Sequence, residues 1–570
     1  MRINADVLYS NLLADLRLDI DVTLPSWSVD SSSRQVAAFC LRDSLLKKFI
    51  SEGDKPSELA CHAALKKFLA VNDRCANWSL LLDTSADEEI LNSVKGVLYD
   101  FWFVRGVDPL ISDVREIYFN GRAGPGASIS ARGEDFYTKM FDSPLSATEG
   151  LPEIWERCVS QGGLSFEAEA SRLVAHGYDV VDSSKYSFVN KTTTVARGIC
   201  TEPTLNMWFQ LGIGRMLEAR LRSFFGIDLS SQPDRNRELA RVGSVNGTLC
   251  TIDLESASDS LSLGMLKHML PRSWYALLLM FRCGKTILPT GSELGLNMVS
   301  TMGNGFTFPL QTILFAAVVK GVAARLDVKL DSSNFGVFGD DIICPSQIYR
   351  HVSRVLNQLG FVVNADKTFV EGPFRESCGA DYFNGDNVRG VYLKKLRSLQ
   401  DLFVAINTLN RWSAKTGIFI PQTMHYLNSF LRRPFPVPLD ESDDAGIHTP
   451  LSYVRTIKRN KVGGVLYSCS RPTKYAFYIL GDVVWTFRDQ VRRSYNPAGL
   501  YISLLFGGIR GYCVLLRQRN IRYTTKRRTT PRWDFLPPRP LEGLHGPQGF
   551  RRFVDAWHWN MFCSSWDSEV

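Results

Sequence analysis

The rhythm of hydrophobic and polar positions changes twice along the chain. From the N-terminus to about Ala240, apolar residues recur every three or four positions in stretches such as "SELACHAALKKFLAVN", separated by Gly/Ser/Pro-rich loops such as "NGRAGPGASISARG". That spacing gathers apolar side chains on one face of a helix, so a mostly helical lobe with long loops is predicted. Between about Val245 and Gln400 the pattern becomes short apolar runs broken by turns: "GTLCTIDL", "KTILPTGSEL", "FGVFGDDIICP", "GFVVNADKTFV" and "VRGVYLKKL". Each has the length and the β-branched or aromatic enrichment of a strand. Helical spacing returns between them in "SLGMLKHML", "LQTILFAAVVKGVAARL" and "YRHVSRVLNQLG", which makes this stretch an α+β sheet domain. Beyond Gln400 the pattern is helical at first, then basic and punctuated by Pro and Gly, ending in the aromatic "FVDAWHWNMFCSSW".

Composition narrows the class. A chain of 570 residues divides into about three or four lobes at ~100–200 residues per domain. With 45% hydrophobic and 22% charged residues it has the make-up of a folded globular protein, and no internal repeat suggests a solenoid or propeller. The net charge of +8 favours an anionic partner without identifying it. The twelve cysteines are scattered, with no CxxC pair and no Cys/His cluster, so neither a zinc site nor a disulfide framework is expected and a reducing cytoplasm fits. "MRINADVLYS" lacks the basic and apolar segments of a secretory signal. The longest apolar stretch, "FPLQTILFAAVVKGVAARL", contains Gln311 and Lys320 and reads as a buried helix, so no membrane association is expected.

The chemistry centres on "VFGDDII". Two adjacent carboxylates, Asp340 and Asp341, stand between apolar runs, and buried charge is costly unless paired, hydrogen-bonded or bound to a metal. A strand, a turn opened by Gly339 and a second strand would set them at a hairpin tip. An earlier apolar run, "CTIDLESASDS", ends at Asp253 with Asp259 after it. Carboxylates meeting at the ends of neighbouring strands repel unless divalent cations lie between them, and oxygen-only ligands suit Mg²⁺. Two such ions would serve an in-line phosphoryl displacement. Between the acidic strands, "STMGNGFTFP" offers Gly303 and Gly305 for close approach and Ser300, Thr301 and Asn304 as partners for a ribose hydroxyl. Upstream, Lys185, Lys191 and Arg197 space cations along "SSKYSFVNKTTTVARGICTEPTLN" as a triphosphate clamp, and Lys367 in "NADKTF" is a candidate proton donor to pyrophosphate. Each of these also has a plain reading, as a solvated basic loop or a glycine-rich helix start. Near the C-terminus, "RQRNIRYTTKRRTTPRW" carries Arg517, Arg519, Arg522, Lys526, Arg527, Arg528 and Arg532 with Tyr523 and Trp533 and no acid. Interleaved cations and aromatic rings suit single-stranded RNA.

Taken in order, "TIDLESASDS", "STMGNGFTF", "FGDDIICP", "NADKTF" and "EGPFRESCG" resemble motifs A to E of the RNA-directed RNA polymerases of small positive-strand RNA bacteriophages, the levivirus replicase catalytic subunits. "GPGAS", "SPLSAT" and "NKTTTVARGICTEPTLN" extend the likeness over roughly Gly124 to Gln400. The resemblance implies an α+β right-hand polymerase, with fingers in 1–244, a palm of antiparallel sheet and helices in 245–400, and a thumb with a basic region in 401–570. It implies Asp253, Asp340 and Asp341 as ligands of two Mg²⁺ ions, with Mn²⁺ as a substitute. Asn304 and its turn, with Ser300, Gly303 and Asp259, would contact the nucleotide sugar, and Lys191 and Arg197 its phosphates. Phe374 to Gly379 would border the primer or product strand. In many related polymerases a second aspartate follows the first by five positions, whereas here that position is Ser258 and the acid is Asp259. The implied partners are RNA template and product, NTPs, host elongation factors Tu and Ts and a small-subunit ribosomal protein, in the cytoplasm of an infected bacterium. A reverse transcriptase shares the double aspartate and has an aromatic residue two before it, as Phe338 is here, but Gly339 and "MGNGFTF" favour the RNA-polymerase branch. A nonenzymatic RNA-binding protein with structural acids is the third reading.

Overall fold

Four capped helices open the chain in the computed structural model, which describes residues 3–50, 55–134, 136–160, 164–431, 435–472, 477–480, 483–486, 522–536, 544 and 546–562. They are α1 (Ala5–Leu16), α2 (Ser33–Ser44), α3 (Glu58–Ala76) and α4 (Ser85–Trp102). Asn4, Ser32, Ser57 and Thr84 each accept a hydrogen bond from a first-turn backbone N–H, and Ser32 with Gln35 and Thr84 with Asp87 complete capping boxes. Shorter helices follow between Val114 and His176. Strands β1 (Ser183–Asn190) and β2 (Ala196–Thr201) then form an antiparallel hairpin, joined along β1 by the parallel strand Lys285–Ile287. Two long helices, α5 (Thr204–Phe225) and α6 (Gln232–Asn246), lead into the central sheet.

That sheet has three antiparallel strands. Its middle strand β5 (Asp341–Pro345) pairs on one side with β4 (Gly336–Phe338) and on the other with β3 (Leu249–Ile252). Between β3 and β4 runs α7 (Thr307–Arg325), the long apolar segment. By length and composition α7 passes as a membrane span, yet 83% of its apolar window is buried, which is the behaviour of a core helix. It is apolar all round because α4, α5 and the sheet enclose it. A side chain at Gly321 would stand 2.6 Å from Val94, so the α4–α7 approach requires glycine there. Lys320, the odd charge in this run, rests its ammonium 5.1 Å over the Phe225 ring.

After α8 (Tyr349–Gln358), strands β6 (Phe374–Ser377) and β7 (Ala380–Phe383) form a second hairpin, held against the back of the central sheet by α6. Leu239 and Ala240 of α6 share a core with Leu249, Ile343, Ala380 and Tyr382. The run "VRGVYLKKL", expected as a strand, forms none: Val388 N donates to Asp381 O in β7, and the rest bonds piecemeal to α2's trailing segment, from Leu393 N to Leu45 O and from Ile50 N to Lys394 O. Helices α9 (Leu399–Thr416) and α10 (Pro421–Asn428) share their core with α1 and α2, Leu8, Leu12 and Leu16 meeting Ile406, Met424 and Leu427. Sequence boundaries at 244 and 400 therefore run through shared cores. Strands β8 (Val465–Pro472) and β9 (Tyr523–Thr530) form an antiparallel ribbon, and α11 (Gly546–Trp557) packs on α9.

Candidate active site

The antiparallel register decides where the acids go. Ile252 faces Ile342, so Asp253, one step beyond β3, falls level with Asp341 at the start of β5. Asp340 occupies the β4–β5 turn behind Gly339. The sheet thus gathers the three aspartates at one edge, as expected from sequence. Gly339 adopts φ +61°, and a Cβ there would lie 2.4 Å from the Phe308 ring. Its N–H donates to Thr312 Oγ1 on α7 at 3.0 Å, and Phe308 packs on Phe338 with ring centroids 4.7 Å apart. The core helix therefore fixes the acidic turn.

Each carboxylate has a different setting. Asp253 Oδ2 accepts from Asn364 Nδ2 at 2.9 Å, and its carbonyl accepts from Asn364 N at 2.9 Å. Asp341 Oδ1 accepts from Cys378 N at 3.2 Å and Ser377 Oγ at 3.3 Å, both in the β6–β7 hairpin. Cys378 and Gly379 have φ +47° and +75°, a two-residue turn with both centres left-handed, which aims that N–H outward. Asn236 on α6 donates to Asp341 O at 3.3 Å. Burial, then the negative charges of Asp340 and Asp253, push Asp341 up to about 6. Asp340 is raised by burial and by Asp253, against the pull of Lys367 and Arg197. Two carboxylates whose protons are held on by burial and by neighbouring negative charge mark a site short of positive charge.

Cations face this edge. Lys191 lies just past β1 and Arg197 on β2 of the hairpin. Burial depresses Lys191, as do Arg197 and Lys367, while Asp253 opposes them. Lys367 is exposed in the short helical turn Ala365–Lys367. Lys185 does not join them: it stands at the open end of the hairpin, paired with Thr201 and Ile287.

The glycine-rich turn is held from three sides. Met302 N donates to Asp259 Oδ1 at 3.0 Å, Cys200 N to Met302 O at 2.9 Å, and Gly305 N to Gln210 Oε1 at 3.0 Å. A Cβ at Gly303 would lie 2.2 Å from Cys200 O. Asn304 spends its side-chain carbonyl on Phe306 N at 3.1 Å, which leaves its amide as the donor. Asp259, carried past β3 by a 3₁₀ turn, reaches the glycine-rich turn despite its one-residue displacement, and burial pushes it up to about 6. Ser300 and Thr301 are 3% and 2% exposed, so these hydroxyls lie behind the turn and are withdrawn from a ribose on its open side.

The C-terminal basic stretch departs most from expectation. Strand alternation sends Lys526 and Arg528 to one face of the β8–β9 ribbon and Arg527 to the other. Arg528 is committed to Glu441 at 2.7 Å, Tyr523 OH donates to Asp444 at 2.9 Å, and Trp533 is 4% exposed with its Nε1 donating to Thr449 O. Neither aromatic is offered to a base. Arg517 and Arg519 lie outside the described residues.

Sequence reasoning missed Asn364, Thr312, Asn236 and Gln210, which hold the acids and the glycine-rich turn from behind. Only the first carried a signal, its place beside Lys367 in "NADKTF".

Comparison with known proteins agrees with this geometry. The family model for the RNA replicase beta-chain matches residues 3–471. The chain is 35% identical over 353 residues to the RNA-directed RNA polymerase subunit beta of Enterobacteria phage SP, covering 57% of this chain and 59% of that protein. It is 42% identical over 245 residues to the corresponding subunit of Escherichia virus Qbeta, covering 43% and 41%. It is 32% identical over 432 residues to the RNA-directed RNA polymerase beta chain of Enterobacteria phage fr, covering 72% and 75%. The matched part thus spans 59% and 41% of the first two relatives and three quarters of the third. With its acidic sheet edge, cationic hairpin and glycine-rich turn, the chain belongs to the RNA replicase beta-chain family.

Proposed function

We propose that this chain is an RNA-directed RNA polymerase that copies a bacteriophage positive-strand genome from NTPs on an RNA template. The observation that carries the proposal is the meeting of Asp253, Asp340 and Asp341 at one sheet edge, opposite Lys191, Arg197 and Lys367. In this reading β1–β2 belongs to the fingers, β3–β7 to the palm, and α9–α10 to the thumb.

The donor set fits a hard divalent cation: it is carboxylate oxygen alone, partly dehydrated and mutually repelling. Among the described residues the side chains do not close into a group of three around an ion, and Ser377 and Cys378 hold Asp341 through Oδ1. Two Mg²⁺ ions, or Mn²⁺ in their place, would supply charge neutralisation at the reacting phosphate and activation of the attacking hydroxyl. The protein's own groups do the rest. Lys191 and Arg197 hold the triphosphate, and Lys367 holds a proton for the pyrophosphate oxygen. Asn304 and Asp259 contact the ribose from the glycine-rich turn, and Asn364 keeps the Asp253 carboxylate oriented.

The test is RNA synthesis by the purified chain on an RNA template, with rNTPs and dNTPs compared. Incorporation of rNTPs is expected. Preference for dNTPs would favour a reverse transcriptase, and RNA binding without incorporation a nonenzymatic protein. The proposal extends to the cytoplasm of an infected bacterium, with host elongation factors Tu and Ts and a small-subunit ribosomal protein as partners; their absence from the purified replicase complex would remove that part.

A further inference from the structure

A second group of cations, outside the triphosphate clamp, sits where α2's trailing segment crosses the chain after β7. Lys48 Nζ lies 4.4 Å over the Tyr392 ring, and Arg389 Cζ lies 5.2 Å from the same ring. Arg389 is neutralised by Asp381 at 2.7 Å, with Glu376 at 3.8 Å. Lys47, Lys48 and Lys394 are not: among the described residues no carboxylate is ion-paired with any of them, and Lys47 and Lys394 are exposed. Burial, then Arg389, Lys394, Lys47 and Lys367, hold the Lys48 ammonium below the usual lysine range. Like charges crowded without acids cost stability unless an anion joins them.

The backbone under these lysines is firmly built. Leu393 N donates to Leu45 O at 2.9 Å, Ile50 N to Lys394 O at 3.0 Å, and Ser44 Oγ to Val391 O at 3.0 Å. A side chain at Gly390 would stand 2.1 Å from Ser44 Oγ and 2.4 Å from Cys40 O, so the two segments touch. The β1–β2 tip closes on the same segment, Thr193 N donating to Lys47 O at 3.1 Å. The crossing therefore joins the tip of the cationic hairpin to the chain leading into α9.

We infer that Lys47, Lys48 and Lys394 form a ledge that binds the phosphodiester backbone of the RNA strand whose end lies at the acidic edge. The inference rests on the polymerase reading. Its location separates it from the triphosphate clamp. Lys191 interacts with Arg197, Lys367, Asp253 and Lys67, whereas Lys48 interacts with Arg389, Lys394, Lys47 and Lys367, so the groups meet at Lys367 and diverge. The second lies on the side of the β6–β7 hairpin, whose turn holds Asp341 and whose Glu376 interacts with both Lys367 and Asp253. An RNA strand reaching Asp340 and Asp341 past this hairpin crosses the lysines, and Tyr392 keeps Lys48 raised beneath it.

The experiment compares the full chain with the double variant Lys47→Gln/Lys48→Gln, which keeps long stems and removes charge. Binding of a fluorescent RNA hairpin is read by anisotropy over a salt series. The variant is expected to bind about 10-fold more weakly, with a log–log salt slope shallower by about 1–2, since each lost phosphate contact withholds one counterion release. Lys47→Arg/Lys48→Arg should restore both. Should the Gln pair fail to fold, by circular dichroism, Lys394→Gln takes its place with about half the change in slope. Unchanged affinity and slope in a folded variant would overturn the ledge, as would an NTP KM that rises while RNA binding is unaltered. Nucleotide addition by the parent chain is measured alongside: its absence would sink the polymerase reading, whereas addition with an unaltered salt slope would sink only the ledge.

Discussion

The acids of this site were legible because each breaks its surroundings. Asp253, Asp340 and Asp341 end or interrupt apolar strands, and burying such groups demands a compensating partner. Ser300 and Trp533 were misread for the converse reason: a hydroxyl or an indole looks the same in sequence whether a neighbouring element covers it or not, and here one does. Asp259 gives a residue-scale expectation with a definite sign. Its folded pKa of about 6 stands above the ordinary 3.8. The folded state therefore binds the extra proton, and the stability this gives is full at low pH and lost as pH rises through 6. Asp259→Asn should be more stable than the parent at pH 7.5 by about 1–3 kcal/mol, with the gap closing near pH 4, as measured by urea denaturation at both pH values. The same variant should bind rNTP more weakly. Asn304→Ala should narrow the preference for rNTP over dNTP by about 10-fold, because a donor aimed at a hydroxyl rejects the substrate lacking it. An unchanged ratio in single-nucleotide incorporation would remove Asn304 from the ribose contact.

Elements were legible where the pattern is local. The α7 segment, the β4–β5 hairpin and α8 all fall where their spacing puts them, since length, periodicity and Gly339 suffice. "VRGVYLKKL" failed because strand formation needs a partner strand, and the partner, residues 45–50, bonds to it only at intervals. Gly339→Ala tests the hairpin: with φ +61° and the Phe308 ring in the way, the turn must shift, at a cost of about 1–3 kcal/mol. Nucleotide addition should fall steeply while α7 and the rest of the core keep their circular dichroism. Asp15→Ala tests the docking of α1 on α10. Asp15 accepts from Gln422 N at 3.0 Å, Thr423 N at 2.9 Å and Thr423 Oγ1 at 2.6 Å, capping a helix far away in sequence. Its loss should cost about 1–2 kcal/mol and speed amide exchange over 421–428, with little change over α7.

At the scale of the whole molecule the sequence conveyed a class and an order of parts but not their packing, because contacts such as α1 on α10 join segments that share no local pattern. Charge shows the same limit. The C-terminal basic run reads as one track, yet strand alternation and Glu441 divide it. Because Lys526 and Arg527 face opposite sides of the ribbon, only one of Lys526→Gln and Arg527→Gln should weaken RNA binding, flattening its salt slope by about 1. Arg528→Gln should instead lower stability, because it removes one of the two arginines facing Glu441. The claim on which everything else depends is that the aspartates at the sheet edge carry the chemistry of nucleotide addition. The most direct measurement is single-nucleotide incorporation on a primed RNA template in Mg²⁺ by the parent and by Asp340→Asn, with folding and RNA affinity measured on the same preparations. Loss of incorporation by about 10³-fold or more, at parental RNA affinity and parental circular dichroism, is the expected result. Incorporation near the parental rate would contradict it.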